Sequence, residues 1–359
     1  MKRQHVVVIL LLWASLTAFS WFGPAKEMSD SERRPLAQMP VMDLHSISSG
    51  KFMKDFEGYS LDQFPLRDGF RTVKALFHQY VLGQKDNNGI YLHDGYAVKQ
   101  ESQLNEDSLN HALERFNHIY ETYLQDSQIY MAVVPDKGYY LAEEAGQLSM
   151  DYEALFDKMA AGMPWARQID LTDSLSITDY YRTDTHWRQE NLFAAAKTIC
   201  DALGVSAPDP VRATVLDRPF YGVYYGQAAL PMEPDTLAVL ELDYLKACTV
   251  YDHETGNTGM VYDRTKLDSR DLYDVYLSGA RALLTIENPH GKQEKELIVF
   301  RDSFGSSMVP LLAADYSKVT LVDTRYISSD LLDRFMEFRG QDVLFLYSTL
   351  ILNSSSAIK

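Results

Sequence analysis

Cysteine is nearly absent, Cys200 and Cys248 being the only two in 359 residues. Two thiols make at most one bridge, so the chain is not a disulfide scaffold, and no Cys/His spacing resembles a zinc site. Cys200 lies on an apolar helical stretch and reads first as a small core residue. Positive charge is also scarce. Against 50 acidic residues stand 34 Lys and Arg, a formal charge of −16, which argues against a phosphate-neutralising surface and so against nucleic acid as a partner. No internal repeat or low-complexity tract is visible.

What is present suits a packed globular protein with one large core, or a core and a small appendage: 46% hydrophobic and 12% aromatic residues. The 23 tyrosines offer stacking surfaces for sugars, or simply line the margins of the core. The N-terminus carries an address. Lys2, Arg3 and His5 precede an uncharged run from Val6 to Phe22, at about 17 residues the lower limit for a membrane span. Residues 1–22 are therefore expected to be an uncleaved signal anchor, with Thr17-Ala18-Phe19-Ser20 as a weak site should the segment be cut as a signal peptide. Either way the body of the protein is exported, as a single-pass membrane protein with an extracytoplasmic domain or as a secreted one.

Residues 23–100 read as a stalk followed by a helical and hairpin region. The stretch to about residue 45 is polar and proline-punctuated. Helical spacing covers Phe52–Tyr59 and Asp68–Tyr80, the second with Phe70, Val73, Leu76 and Phe77 on one face. Turns at Asn87-Asn88-Gly89 and Asp94-Gly95 flank a short strand. Residues 101–359 alternate. Helix 105–122, strand Ile129–Val134, helix 150–162, a strand ending at Leu171 and helix 189–203 predict an α/β domain, a parallel sheet with helices on its faces. From about 208 to 291 short strands, Tyr221–Gly226 among them, suggest a mixed insertion or lid. Alternation then resumes: strand Leu297–Phe300, helix 306–316, strand Val319–Val322, helix Ser329–Phe338 and strand Val343–Tyr347.

Two stretches carry chemistry. In Tyr181-Arg182-Thr183-Asp184-Thr185-His186-Trp187 a carboxylate lies two residues from an imidazole, an orienting acid and a general base without a nucleophile. Alternatively His186 is a packed histidine, or part of a metal site that lacks a nearby third ligand. Far downstream, Ser303 follows a strand and precedes a helix; a serine there gains from the amides that open the helix. Gly305 would let the backbone approach substrate, and Pro310 suits the helix's first turn. The plainer alternative is that Asp302 or Ser303 caps that helix.

Together the stretches resemble the DHHW family, relatives of the alginate O-acetylation proteins with an SGNH-hydrolase-like domain. Supporting blocks are Ser31-Glu32-Arg33-Arg34-Pro35-Leu36, Asp62-Gln63-Phe64-Pro65-Leu66-Arg67, Val134-Pro135-Asp136-Lys137 and Phe220-Tyr221-Gly222; the specific ones are Asp184-Thr185-His186-Trp187 and Arg301-Asp302-Ser303-Phe304. The resemblance implies Ser303 as nucleophile, His186 as base and Asp184 as its orienting acid, with the motif order circularly permuted relative to ordinary SGNH hydrolases. It implies no cofactor and no metal. Arg325, Trp187 and Tyr181 are the expected substrate-binding residues, although Arg325 could equally pair with Asp323. The chain departs from the family at Glu190-Asn191, where glycine is common, and no ordinary Gly or Asn block identifies an oxyanion hole.

The function implied is an exported serine acyltransferase or esterase acting on O-acyl groups, acetyl foremost, of a surface polysaccharide, with a membrane acyl-donor partner. A non-catalytic component that binds glycan or a partner protein through the tyrosine-rich insertion is the alternative from another class. A metal-dependent hydrolase using His186 is a third.

Overall fold

The computed structural model describes residues 3–359, so Lys2 of the basic N-terminal flank lies outside the described residues. Chain contacts divide the protein into two compact units, one of Met1–Tyr91 with Val223–Glu233 and the other of Leu92–Gly222 with Pro234–Lys359.

The first unit begins with helix Arg3–Phe22, 20 residues, long and apolar enough to cross a membrane. The stretch expected to be irregular contains a two-residue antiparallel pairing, Met28–Ser29 with Arg34–Pro35. Helices Lys51–Asp62 and Arg67–Tyr80 follow. Two of the sequence blocks meet here as an ion-pair network. Arg34 grips Asp62 with both terminal nitrogens, at 2.9 and 2.7 Å, while Glu32 pairs with Arg67 and with Arg71, the latter at 3.3 Å. Tyr221–Gly226, expected as a strand, is not one: helix Val223–Ala228 forms there and belongs to this unit. The strand preference of its Val and Tyr residues is overridden by packing, which buries Tyr224.

The second unit is built on an eight-stranded sheet. Its strands in chain order are β1 (Gln128–Val134), β2 (Arg167–Ile169), β3 (Thr249–Asp252), β4 (Asn257–Gly259), β5 (Leu283–Glu287), β6 (Lys292–Arg301), β7 (Tyr316–Val322) and β8 (Asp342–Ser348). In space they run β4-β3-β5-β7-β6-β8-β1-β2. The five strands from β7 to β2 are parallel, and β5, β3 and β4 extend the sheet antiparallel. The expected insertion is thus only partly separate. Hairpin Ala213–Phe220 with Asp235–Leu240 stands apart as its own two-stranded sheet, whereas β3, β4 and β5 complete the main one.

The parallel strands are apolar throughout because both faces are covered. Alternate residues of β1 go to opposite cores. Tyr130, Ala132 and Val134 pack with helices α3 (Phe193–Leu203) and α4 (Gly305–Leu312) in one core cluster, which also buries Cys200 of α3 and Cys248 just after helix Asp243–Ala247, unbridged. Ile129, Met131 and Val133 pack with α1 (Glu106–Ile119) and α2 (Tyr152–Gly162). Ser329–Phe338, expected as an α-helix, is a shorter 3-10 segment, Ser329–Arg334. Pro310 falls in the second turn of α4, where it forgoes a backbone bond, and the helix ends at Leu312.

The Asp62 carboxyl is held below its ordinary range, first by the Arg34 hydrogen bond, against burial and with help from the Ala37 N–H and Arg67. A depressed folded value contributes stability above the ordinary carboxylate range, lost as pH falls through that depressed value. Asp62→Asn is expected to destabilise the first unit by about 1–2 kcal/mol at pH 7. Thermal melts at descending pH should show the gap from wild type closing in acid.

Candidate active site

The nucleophile candidate sits where the fold offers most to an incoming ligand. β6 lies inside the parallel sheet, and its C-terminal end opens onto the crevice where such sheets bind ligands. The chain turns there through Asp302 and Ser303 into α4. Asp302, fully buried, fastens the turn: one carboxylate oxygen accepts the Phe304 N–H at 3.0 Å and the other the Ser348 N–H at the end of β8, at 2.8 Å, while the helix's N-cap, Phe304, has no side-chain cap bond. Ser303 is left half-buried, and its backbone N–H has no acceptor among the described residues. Gly305 serves this turn differently from expectation. A Cβ there would lie 2.8 Å from the Cβ of buried Arg301, so the missing side chain makes room for protein packing rather than for substrate.

The acid and base arrive on a tight loop between Tyr180 and Trp187, which pair as an antiparallel bridge. The Tyr181 N–H donates to the His186 carbonyl at 3.0 Å and closes the loop. Inside it, Asp184 Oδ1 lies 2.6 Å from His186 Nδ1 and accepts the His186 backbone N–H at 3.1 Å. His186 Nε2 stands 2.8 Å from Ser303 Oγ. Ser303, His186 and Asp184 therefore form one hydrogen-bonded line, with the carboxylate side chain 1% exposed and the imidazole 10%. That order and those distances suit a base that takes a proton from the serine while a buried carboxylate fixes its tautomer.

Several supports were not legible from spacing. Tyr273, in the 3-10 turn Leu272–Val275, stacks on the imidazole with centroids 3.8 Å apart and planes 7° from parallel. Its hydroxyl lies 2.8 Å from Ser307 Oγ on α4. Ser307 Oγ also accepts from Trp187 Nε1 at 2.9 Å, so one serine ties the loop's tryptophan to the ring behind the histidine.

The expected substrate-binding residues behave differently. Trp187 is fully buried and donates to Phe304 O as well as to Ser307. Tyr181 is fully buried, edge-on to Phe220. Both side chains anchor the loop in the core rather than facing solvent. Arg325 pairs bidentately with Asp323, Nε to Oδ1 at 2.8 Å and Nη2 to Oδ2 at 2.6 Å, the alternative its neighbour allowed. The described residues do bring His93, Asp94 and Glu144 within 4.8 Å of one another, but His186 has no share in that group.

Gly222 belongs to the site by what it lacks. A Cβ there would fall 2.2 Å from the Asp184 Cβ and 2.5 Å from its N, while its N–H donates to Thr183 Oγ1 at 2.9 Å. Gly222→Ala is expected to displace Asp184, costing about 1–3 kcal/mol of stability and a larger share of Ser303 reactivity, read by thermal melting beside the labelling described below.

Comparison with known proteins agrees with the motifs. The family model described as DHHW protein matches residues 156–322. No curated protein matches the sequence. Among solved structures, a DHHW family protein from Eubacterium siraeum superposes with a TM-score of 0.62 at 21% identity, covering 76% of this chain and 95% of that one. PatB1 of Bacillus cereus gives 0.59 at 17% identity, covering 73% and 96%, and its sulfonyl adduct 0.56 at 16%, covering 73% and 95%. At such identities the likeness is one of fold, a mixed α/β unit around a mostly parallel sheet. Residues 156–322, which hold the Asp184–Trp187 loop and the Ser303 turn, are matched by the DHHW protein family, the family those motifs resemble.

Proposed function

We propose that the protein is a serine acyltransferase or esterase acting on O-acyl groups of a surface polysaccharide, with acetyl the acyl group the family resemblance favours. The observation that carries the reading is the 2.8 Å approach of Ser303 Oγ to an imidazole whose other nitrogen is held by a buried carboxylate. In this reading the Ser303 oxygen bonds to the acyl carbon as its proton passes to His186 Nε2. Collapse of the tetrahedral intermediate breaks the bond to the leaving oxygen, which takes that proton. A sugar hydroxyl or water then gives its proton to His186, attacks the acyl-enzyme and releases Ser303. The unbonded Ser303 N–H at the opening of α4 is suited to receive the developing oxyanion. Asp184 remains ionised and stabilises the imidazolium.

Helix Arg3–Phe22, preceded in sequence by Lys2 and opening with Arg3 and His5, supports an exported protein held at the membrane, with the body outside. A membrane-bound acyl donor would suit a transferase in that position. The permuted motif order, in which Asp184 and His186 precede Ser303, belongs to the same reading.

The sulfonyl adduct of PatB1 suggests the probe. A sulfonyl fluoride is expected to label the wild-type protein at Ser303, located by peptide mass, and Ser303→Ala or His186→Ala should lower turnover of an activated acetyl ester by about 10³-fold or more. Full turnover in Ser303→Ala would remove the proposed nucleophile. Product analysis with and without oligosaccharide acceptor separates transfer from hydrolysis.

A further inference from the structure

The Val134-Pro135-Asp136-Lys137 block has no part in the chemistry above, yet it ends in a lysine 1% exposed. Lysine is almost never fully buried without a partner. Here the partners are backbone: Lys137 Nζ donates to the carbonyls of Tyr181 and Arg182, at 3.0 and 3.3 Å. From another element, Asp235, the first residue of strand Asp235–Leu240 and 5% exposed, takes the donors of the same loop. It accepts the Arg182 N–H at 2.9 Å, the Thr183 N–H at 2.7 Å and the Thr183 hydroxyl at 2.6 Å. Arg182 is thus held on both edges by opposite charges, its carbonyl also accepting the Ala97 N–H at 2.8 Å. The residues that follow are Thr183 and Asp184. Two buried charges spent on the backbone just ahead of the triad's acid are more than a loop requires for folding, since neutral donors and acceptors would satisfy it at lower desolvation cost.

We infer that Lys137 and Asp235 are positioning residues that clamp the loop bearing Asp184, and that their opposite charges tune the pH at which Ser303 becomes nucleophilic. The inference rests on the acyl-transfer reading above. The titratable and charged groups around His186 include Asp184 on its own loop, Tyr273 on its face, Asp302 beside Ser303 with the buried Arg301 guanidinium at the end of β6 next to it, and Lys137, Asp136 and Asp235 on the elements behind Asp184. Burial draws Lys137 down to about 7, against the pull of Asp184, Asp235 and Asp136, so its charge is present on the acid side of the range where an imidazole ordinarily titrates.

Rates of sulfonyl fluoride labelling in the full chain, measured from about pH 5 to 9, test the clamp. Wild type should label with a rate that rises through a midpoint, and Ser303→Ala should not label; the reverse of either overturns the nucleophile and the proposed function, whatever the clamp does. With wild type labelled, Lys137→Met and Asp235→Asn should each slow labelling by about tenfold to a hundredfold. Removing the cation favours the imidazolium and moves the midpoint up; removing the anion moves it down. A wild-type rate in either variant, unmoved midpoints, or midpoints moved the same way would overturn the inference. Thr183→Val removes the hydroxyl that donates to Asp235 and accepts the Gly222 N–H, and removes no charge; it should slow labelling with the midpoint unchanged. A wild-type rate in that variant overturns the clamp even where the charged variants fail to fold.

Discussion

A carboxylate taken out of water must be neutralised or fully hydrogen-bonded, and the site is arranged around how Asp184 meets that demand. One of its oxygens meets it through a single residue, Oδ1 accepting the backbone N–H of His186 and lying against the ring Nδ1. The two-residue spacing makes this possible, because a turn that tight folds the imidazole back over the preceding carboxylate. Once Nδ1 is committed, Nε2 is the nitrogen left to face Ser303. The stack of Tyr273 on the ring and the absence of a Cβ at Gly222 keep that geometry from relaxing.

The sheet supplies the other half by topology. β6 has a parallel neighbour on each side, so its C-terminal end cannot drift, and Asp302 fastens the turn to the end of β8. The alternative reading of this turn as a plain helix cap is not what forms: the helix's N-cap is Phe304, without a side-chain cap bond, and Asp302 instead ties the preceding turn to itself and to β8.

How much of this could be read in advance follows the range of the interactions. The parallel core was legible because strands buried on both faces leave long apolar runs, as in Ile129–Val134 and Leu297–Phe300. Some strands of the middle segment were legible, but Tyr221–Gly226 was not a strand, Ala213–Phe220 went unread, and membership could not be told: β5 and β3 join the sheet antiparallel, and nothing in a five-residue apolar run says which edge it will meet. The Asp-x-His and strand-Ser-helix patterns are local and could be named. Tyr273 and Asp235 are ordinary loop and strand-end residues, and only tertiary structure sets them against the site. That Trp187 and Tyr181 would be fully buried was not legible, because adjacency in sequence does not tell which way a side chain turns. Arg325 was ambiguous for the opposite reason: its partner, Asp323, was close enough to be seen.

The bond from His186 to Ser303 spans 117 residues, and so does that from Trp187 to Phe304; the tie from Asp302 runs on to Ser348, near the chain's last residues. Contacts of such separation form late, after loop entropy has been met by the rest of the sheet. A chain synthesised N-terminus first therefore carries Asp184 and His186 long before Ser303 exists to meet them. The hydrogen-bonded line of the three closes only once β6 and β8 have joined the sheet, so the geometry is a product of the assembled sheet and not of the loop alone.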